Sequence, residues 1–233
     1  MRNKILILIL VVVLLVGGIG GYYWWQNNNQ AGNPANEINP ADLIVFEIKN
    51  EELSDFQKER FLANFDSAKD TINYNLSLGY DYNSDWNYSP LLAIATVQHG
   101  IGDDERAEKM WLWFTDAFLG NSISPANLGD LYKSFLIDNA KSEKYYLIAL
   151  EREKHDFNIF YGLYELYRYR FEDSQKAIDI LKDGLANNPG ELNYVNTLVK
   201  YLLELGDREQ ASQVVEDFIA DNPEQTGLRD KLK

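Results

Sequence analysis

The sequence predicts an all-α fold, a solenoid of stacked helix pairs, and three observations carry that expectation. The segments beginning at Ala177 and Ala211 align 34 positions apart, with Asn188-Pro189 falling on Asn222-Pro223, Leu181 on Val215 and Leu185 on Ile219. A period in the mid-thirties, divided into two apolar-periodic halves, marks a helix-pair repeat whose apolar face only a stacked neighbour can cover. Ser89-Pro90 and Ser124-Pro125 lie 35 residues apart, each placing a capping serine before a proline at a first helical position. Between these marks, apolar residues recur at spacings of three and four, which puts them on one face of a helix.

Composition narrows the function before any motif does. The 233 residues suffice for one domain plus an accessory segment. Against 22 basic residues stand 36 acidic ones, a formal charge of -14 that repels phosphate backbones, so nucleic acid is not an expected partner. Fifteen tyrosines and five tryptophans are too many for a disordered acidic chain. Without cysteine the chain has no disulfide, thiol nucleophile, zinc–thiolate site or acylated cysteine. His99 and His155 are the only histidines, neither lies in a nucleophile motif, and no glycine loop is built to cradle phosphate. No catalytic residue, cofactor or metal is therefore assigned, and a binding scaffold is the expected class rather than an enzyme.

The chain opens with a tether. Arg2 and Lys4 precede an unbroken apolar run over 5–16, then Gly17-Gly18-Ile19-Gly20-Gly21 and the aromatics Tyr22, Tyr23, Trp24 and Trp25. A helix from Ile5 to Trp25 is about 30 Å long, the thickness of a bilayer core, with its aromatics at the interface. Residues 1–25 are accordingly expected to be a single-pass transmembrane anchor. A cleaved signal peptide shares the charged start and short apolar centre, with Gly18 and Gly20 as small residues for cleavage. No basic residue follows the run until Lys49, so the N-terminus is expected in the cytoplasm and the remainder outside the cell membrane. Residues 26–41, rich in Asn and Gln, read as a flexible linker, and 42–233 as the helical repeat domain. Within it, the short run over 43–48 is expected to pack against the first helices.

Ser54 and Gln57 have capping-box spacing, and Phe61, Phe65, Ala68, Ile72 and Leu76 form the apolar stripe of the helix that follows. Residues 79–87 break the pattern. Asp81, Asn83 and Asp85 alternate there like the start of a calcium loop, but Trp86 and Leu92 stand where glycine and glutamate are required, so a turn is expected. The helix pairs are expected at about 88–121, 122–156, 158–190 and 192–224. Gly102-Asp103 and Gly206-Asp207 mark two of their internal turns, with Gln210 three residues past the Asp207 cap.

Several of these residues resemble the tetratricopeptide repeat family. Leu128-Gly129 with Tyr132 matches its first-helix pattern, Gly102 with Ala107 and Gly206 with Ala211 match the turn and the alanine entering the second helix, and Pro189 and Pro223 match the terminal proline. The third pair departs from the pattern, with no turn glycine and with Glu165 where glycine is usual. The resemblance, spanning about 90–223, implies a right-handed solenoid whose first helices line a concave groove holding a peptide or an extended tail. By that resemblance the groove-facing, partner-binding residues are His99, Asp130, Lys133, Tyr169, Asn193, Asn196 and Lys200. The paired lysines and arginine of the family's carboxylate-clamp members are missing. Lys133 and Lys200 are expected to be exposed cations, whereas Trp111, Tyr132, Tyr146 and Tyr164 are expected in the core. The resulting expectation is a membrane-tethered, extracytoplasmic scaffold for a protein or peptide. The alternative is an envelope enzyme or carbohydrate-binding protein using an acidic, aromatic cleft.

Overall fold

The computed structural model describes residues 38–232, and every regular element among them is a helix. A single turn, α1 (Pro40–Leu43), is followed by α2 (Asp55–Ser77), α3 (Asp85–Gly100), α4 (Asp104–Ala117), α5 (Ile123–Ser134) and α6 (Asn139–Arg152). Then come α7 (Phe157–Glu165), which runs on as a π-turn over Leu166–Arg170, α8 (Ser174–Asn187), α9 (Leu192–Glu204) and α10 (Arg208–Asp221). A 3-10 segment, Pro223–Leu232, packs back on α10, with Leu228 buried and Arg229 doubly bonded to Glu216. Each helix from α2 packs chiefly on its neighbours in sequence. The apolar run from Ile5, the aromatics at 22–25 and the linker up to residue 37 lie outside the described residues. Among the described ones no helix is long and apolar enough to cross a membrane.

Local chemistry accounts for the boundaries. The Ser54 hydroxyl accepts from the Gln57 N–H while the Gln57 side chain accepts from the Ser54 N–H, a complete capping box. The two Ser-Pro expectations need correction. Helix α3 starts at Asp85 after Ser84, so Pro90 is inside it, and α5 starts at Ile123 after Ser122. Pro90 has no N–H for the carbonyl one turn back, that of Trp86, and the Asn75 side-chain amide fills the gap at 2.9 Å. The same Asn75 amide reaches Asn87 at 3.1 Å, and Asn87 bonds the Asp81 carbonyl, which ties down the turn after Gly79. Pro125 falls in the first turn of α5, where no N–H is required, and Asn121 accepts from the Ile123 and Ser124 N–H groups.

The turn inside each pair follows one rule, more regular than the sequence reading had it. Gly102, Ile137, Glu172 and Gly206 all take left-handed backbone, with φ of 81, 51, 53 and 81°. Each precedes an aspartate, Asp103, Asp138, Asp173 or Asp207, at spacings of 35, 35 and 34. The aspartate N–H bonds back to the first helix, and its carbonyl accepts from Ala107, Ser142, Ala177 or Ala211. These four small residues are fully buried where the two helices of a pair meet.

The Asn-Pro stops also acquire a physical reason. Proline keeps the preceding residue out of the helical region, and Asn188 and Asn222 have φ of -135 and -131°. Freed from the helix, each side chain caps the carbonyl four residues back, Gly184 or Phe218. Each also reaches the preceding repeat, Asn188 at the Lys154 carbonyl and Asn222 at that of Pro189. Arg152 does the same for α6 and α4, donating to the Thr115 and Asn121 carbonyls at 2.9 Å. The second helices are thus clipped end to end by side chains bonding main-chain oxygens.

Trp111, Tyr132, Tyr146 and Tyr164 are buried, as the sequence leads one to expect. One apolar cluster runs from Leu43 to Tyr132 and a second from Tyr146 to Leu228. Tyr146 lies between helices α5 and α7: a Cβ on Gly129 would stand 2.7 Å from one end of its ring, and a Cβ on Gly162 would stand 2.5 Å from the other. Gly162 therefore provides in α7 the close approach that the sequence reading looked for at Glu165.

Residues 42–50 pack on the first helices, and the packed chain begins earlier than expected, with Ile38 against the first cluster and Pro40 buried. Lys49 and Asn50 donate their N–H groups to the Ile101 carbonyl at 2.9 and 2.8 Å. Asp103, fully buried, takes Lys49 at 2.7 Å and Arg106, which also pairs with Glu47. Burial opposes ionisation of Asp103, but the hydrogen bonds and charges of Lys49 and Arg106 hold its carboxyl below the usual range. A lowered carboxylate stabilises the docked segment above the unfolded value near 4 and loses that contribution as pH falls through the folded value. Hydrogen exchange at the Lys49 and Asn50 amides is therefore expected to accelerate as pH falls below about 4, after correction for intrinsic rates. In Asp103→Asn it is expected to be fast already at pH 7.

Candidate functional site

The π-turn over Leu166–Arg170 helps to wall a cleft. Its wider turn closes with the Phe171 N–H on the Leu166 carbonyl at 3.0 Å and re-aims the side chains beyond Tyr164. Arg168 reaches across to α9, donating to Glu204 and to the Tyr164 hydroxyl, and its guanidinium lies 4.6 Å from the ring centres of both Tyr169 and Tyr201. Between this strut and α9 opens a cleft of about 670 Å³, walled by Tyr161, Tyr164 and Tyr169 on one side and Asn196, Thr197 and Lys200 on the other, with Lys231 at its edge. The Asn196 Oδ1 atom is buried and has no hydrogen-bond partner. Lys200 and Lys231 form no ion pair among the described residues.

The cleft offers hydrogen-bonding and stacking groups. Burial raises the Tyr161 and Tyr164 phenols, so both are neutral hydrogen-bonding groups at physiological pH. Arg168, Lys200 and Lys231 outnumber Glu204, a local positive excess on a strongly acidic chain. Among the described residues no three histidines or carboxylates cluster to hold a metal.

Three of the seven expected partner-binding residues, Tyr169, Asn196 and Lys200, meet in this cleft. His99 is elsewhere, its Nδ1 on Asp104 at 2.7 Å and its ring edge-on to Phe135. Asn193 is exposed at the start of α9, where its side-chain amide donates to Glu191 at 2.9 Å. Lys133 is a correction: its side chain is only 12% exposed, drawn in by Glu165 at 2.9 Å and Asp130 at 3.2 Å. Asp130 also accepts from the Tyr146 hydroxyl. These two residues brace α5 against α6 and α7. The sequence reading missed Arg168, Tyr161, Thr197 and Lys231. The cluster of tyrosines and arginines over 161–170 was its only signal, because a π-turn leaves no periodicity of its own.

Compared with known proteins, the chain matches no protein-family model and no curated protein sequence.

Proposed function

We propose that this protein is a membrane-tethered scaffold that holds an extended peptide segment of a partner protein outside the cell membrane. In this reading the N-terminal apolar run is a retained single-pass anchor with a cytoplasmic N-terminus, and α3–α10 form four tetratricopeptide-like pairs of a right-handed solenoid. The four left-handed turns, each followed by an aspartate, and the clips between successive pairs support the solenoid; the Arg2 and Lys4 asymmetry supports the topology.

The observation that carries the function is the cleft between α7 and α9. Its tyrosine walls supply flat contact area, and Asn196 and Thr197 on the facing helix add polar side chains. Lys200 and Lys231 favour carboxylate or carbonyl oxygens on the same segment. Nucleic acid does not fit the overall charge.

Because the chain has no cysteine of its own, single introduced cysteines test topology and partner together. Thr197→Cys in the cleft and Lys182→Cys on exposed α8 are both expected to react with a membrane-impermeant maleimide on intact spheroplasts. Only Thr197→Cys is expected to crosslink a discrete partner through a short bifunctional reagent. Protection of both sites until the membrane is broken contradicts the topology; equal crosslinking from both contradicts the cleft.

A further inference from the structure

The structure shows one extended segment already docked on one of its four pair-closing turns. Lys49 and Asn50 offer their N–H groups to the Ile101 carbonyl, and the Lys49 ammonium seats on Asp103. The backbone passes so close to Gly102 that a Cβ there would meet the Asn50 nitrogen at 3.0 Å. Ile101 beneath it is fully buried. The requirements of such docking are therefore visible: an apolar residue, a glycine in left-handed backbone, an aspartate, and an open carbonyl.

The fourth turn repeats this set as Leu205-Gly206-Asp207, with Gly206 at the same φ of 81°. Among the described residues nothing lies within 4 Å of where a Gly206 Cβ would stand, and Leu205 is 46% exposed where Ile101 is covered. No main-chain N–H of another segment among the described residues reaches the Leu205 carbonyl. Three residues past the aspartate, Arg106 of the first turn pairs with Glu47 of the docked segment. Its counterpart Gln210 forms no side-chain bond to another segment among the described residues. The second and third turns fit less well, because Ile137 and Glu172 put side chains where the docked backbone would run.

We propose that the turn at 205–210 is a docking site for an extended, lysine-bearing segment of a partner protein, held as residues 47–50 are held on the first turn. The partner's main-chain N–H groups would bond the Leu205 carbonyl, its lysine would seat on Asp207, and an apolar side chain would cover Leu205. Charge favours this occupant: the chain is acidic, Asp207 and Glu209 stand in the turn, and Arg208, which takes the place of Asp104 in the first turn, is directed to the Leu232 carbonyl. This surface is separate from the tyrosine cleft and does not depend on it.

The probe is a labelled peptide of this chain's residues 41–53, titrated into the full chain in detergent micelles and followed by anisotropy. Binding is expected, weakened about tenfold by Asp207→Asn, which keeps the helix cap but removes the charge. Leu205→Ser and a peptide carrying Lys49→Glu are expected to weaken it as well. Leu205 is exposed, so its replacement leaves the melt unchanged and any loss is loss of docking. No binding, or binding that survives Asp207→Asn and Leu205→Ser together, overturns the proposal. So does a dimer, seen by sedimentation and abolished by the same substitutions without peptide binding, because the occupant is then a second copy of this chain.

Discussion

Gly162→Ala is expected to destabilise the protein by about 1–3 kcal/mol, although alanine is the better helix former by about 0.5–1 kcal/mol. The added Cβ would stand 2.5 Å from Cε1 and Cζ of Tyr146. That ring has no room to retreat. Its other end abuts Gly129, its hydroxyl is bonded to Asp130, and it is 1% exposed. Thermal or urea melts of the two single variants and the double measure the coupling. Tyr146→Ala alone is expected to cost about 3–5 kcal/mol through the cavity it leaves. In that background Gly162→Ala is expected to become neutral or stabilising, since only its helix propensity remains. A clash penalty that persists without the ring contradicts this account of how α5, α6 and α7 fit together.

Asn75→Ala is expected to cost about 1–3 kcal/mol, because the part-buried Trp86 carbonyl and the buried Asn87 Oδ1 each lose a donor. The link to Pro90 makes the prediction specific. Pro90→Ala restores an N–H for the Trp86 carbonyl, so part of the Asn75→Ala penalty is expected to disappear in the double variant. Denaturant midpoints for the four members of the cycle give the answer. Strict additivity would mean that Asn75 does not substitute for the bond that proline removes.

Much of the helical order is legible in the sequence because capping and periodicity are local. Ser54 with Gln57, Gly102-Asp103, Gly206-Asp207 and the Asn-Pro pairs each act within a few residues, and the structure places them as expected. The Asp repeat at 103, 138, 173 and 207 was present in the sequence but masked by Ile137 and Glu172, which hold a backbone that glycine adopts more cheaply. Ser-Pro misled for a tertiary reason: a proline is tolerated inside α3 only because Asn75, fifteen residues upstream, supplies the missing bond. The cleft was half legible. Tyr169, Asn196 and Lys200 sit on the first helices of neighbouring pairs, where the resemblance implies a groove, and the structure brings them into one cleft. The exposure of Lys133 could not be read, because Glu165, its partner at 2.9 Å, comes from another pair. Nor could Arg168, which enters the cleft through a π-turn.

The central claim is that the cleft between α7 and α9 captures the partner. Asn196→Ala combined with Lys200→Ala tests it most directly, in full-length protein in the cells that make it, by comparing recovery of the crosslinked partner with the melting curve of the purified protein. Neither side chain bonds another side chain among the described residues, so the account predicts capture reduced at least about tenfold with the melt nearly unchanged. Normal capture by the double variant, with loss instead on changing exposed positions of α8 such as Lys182, would contradict it.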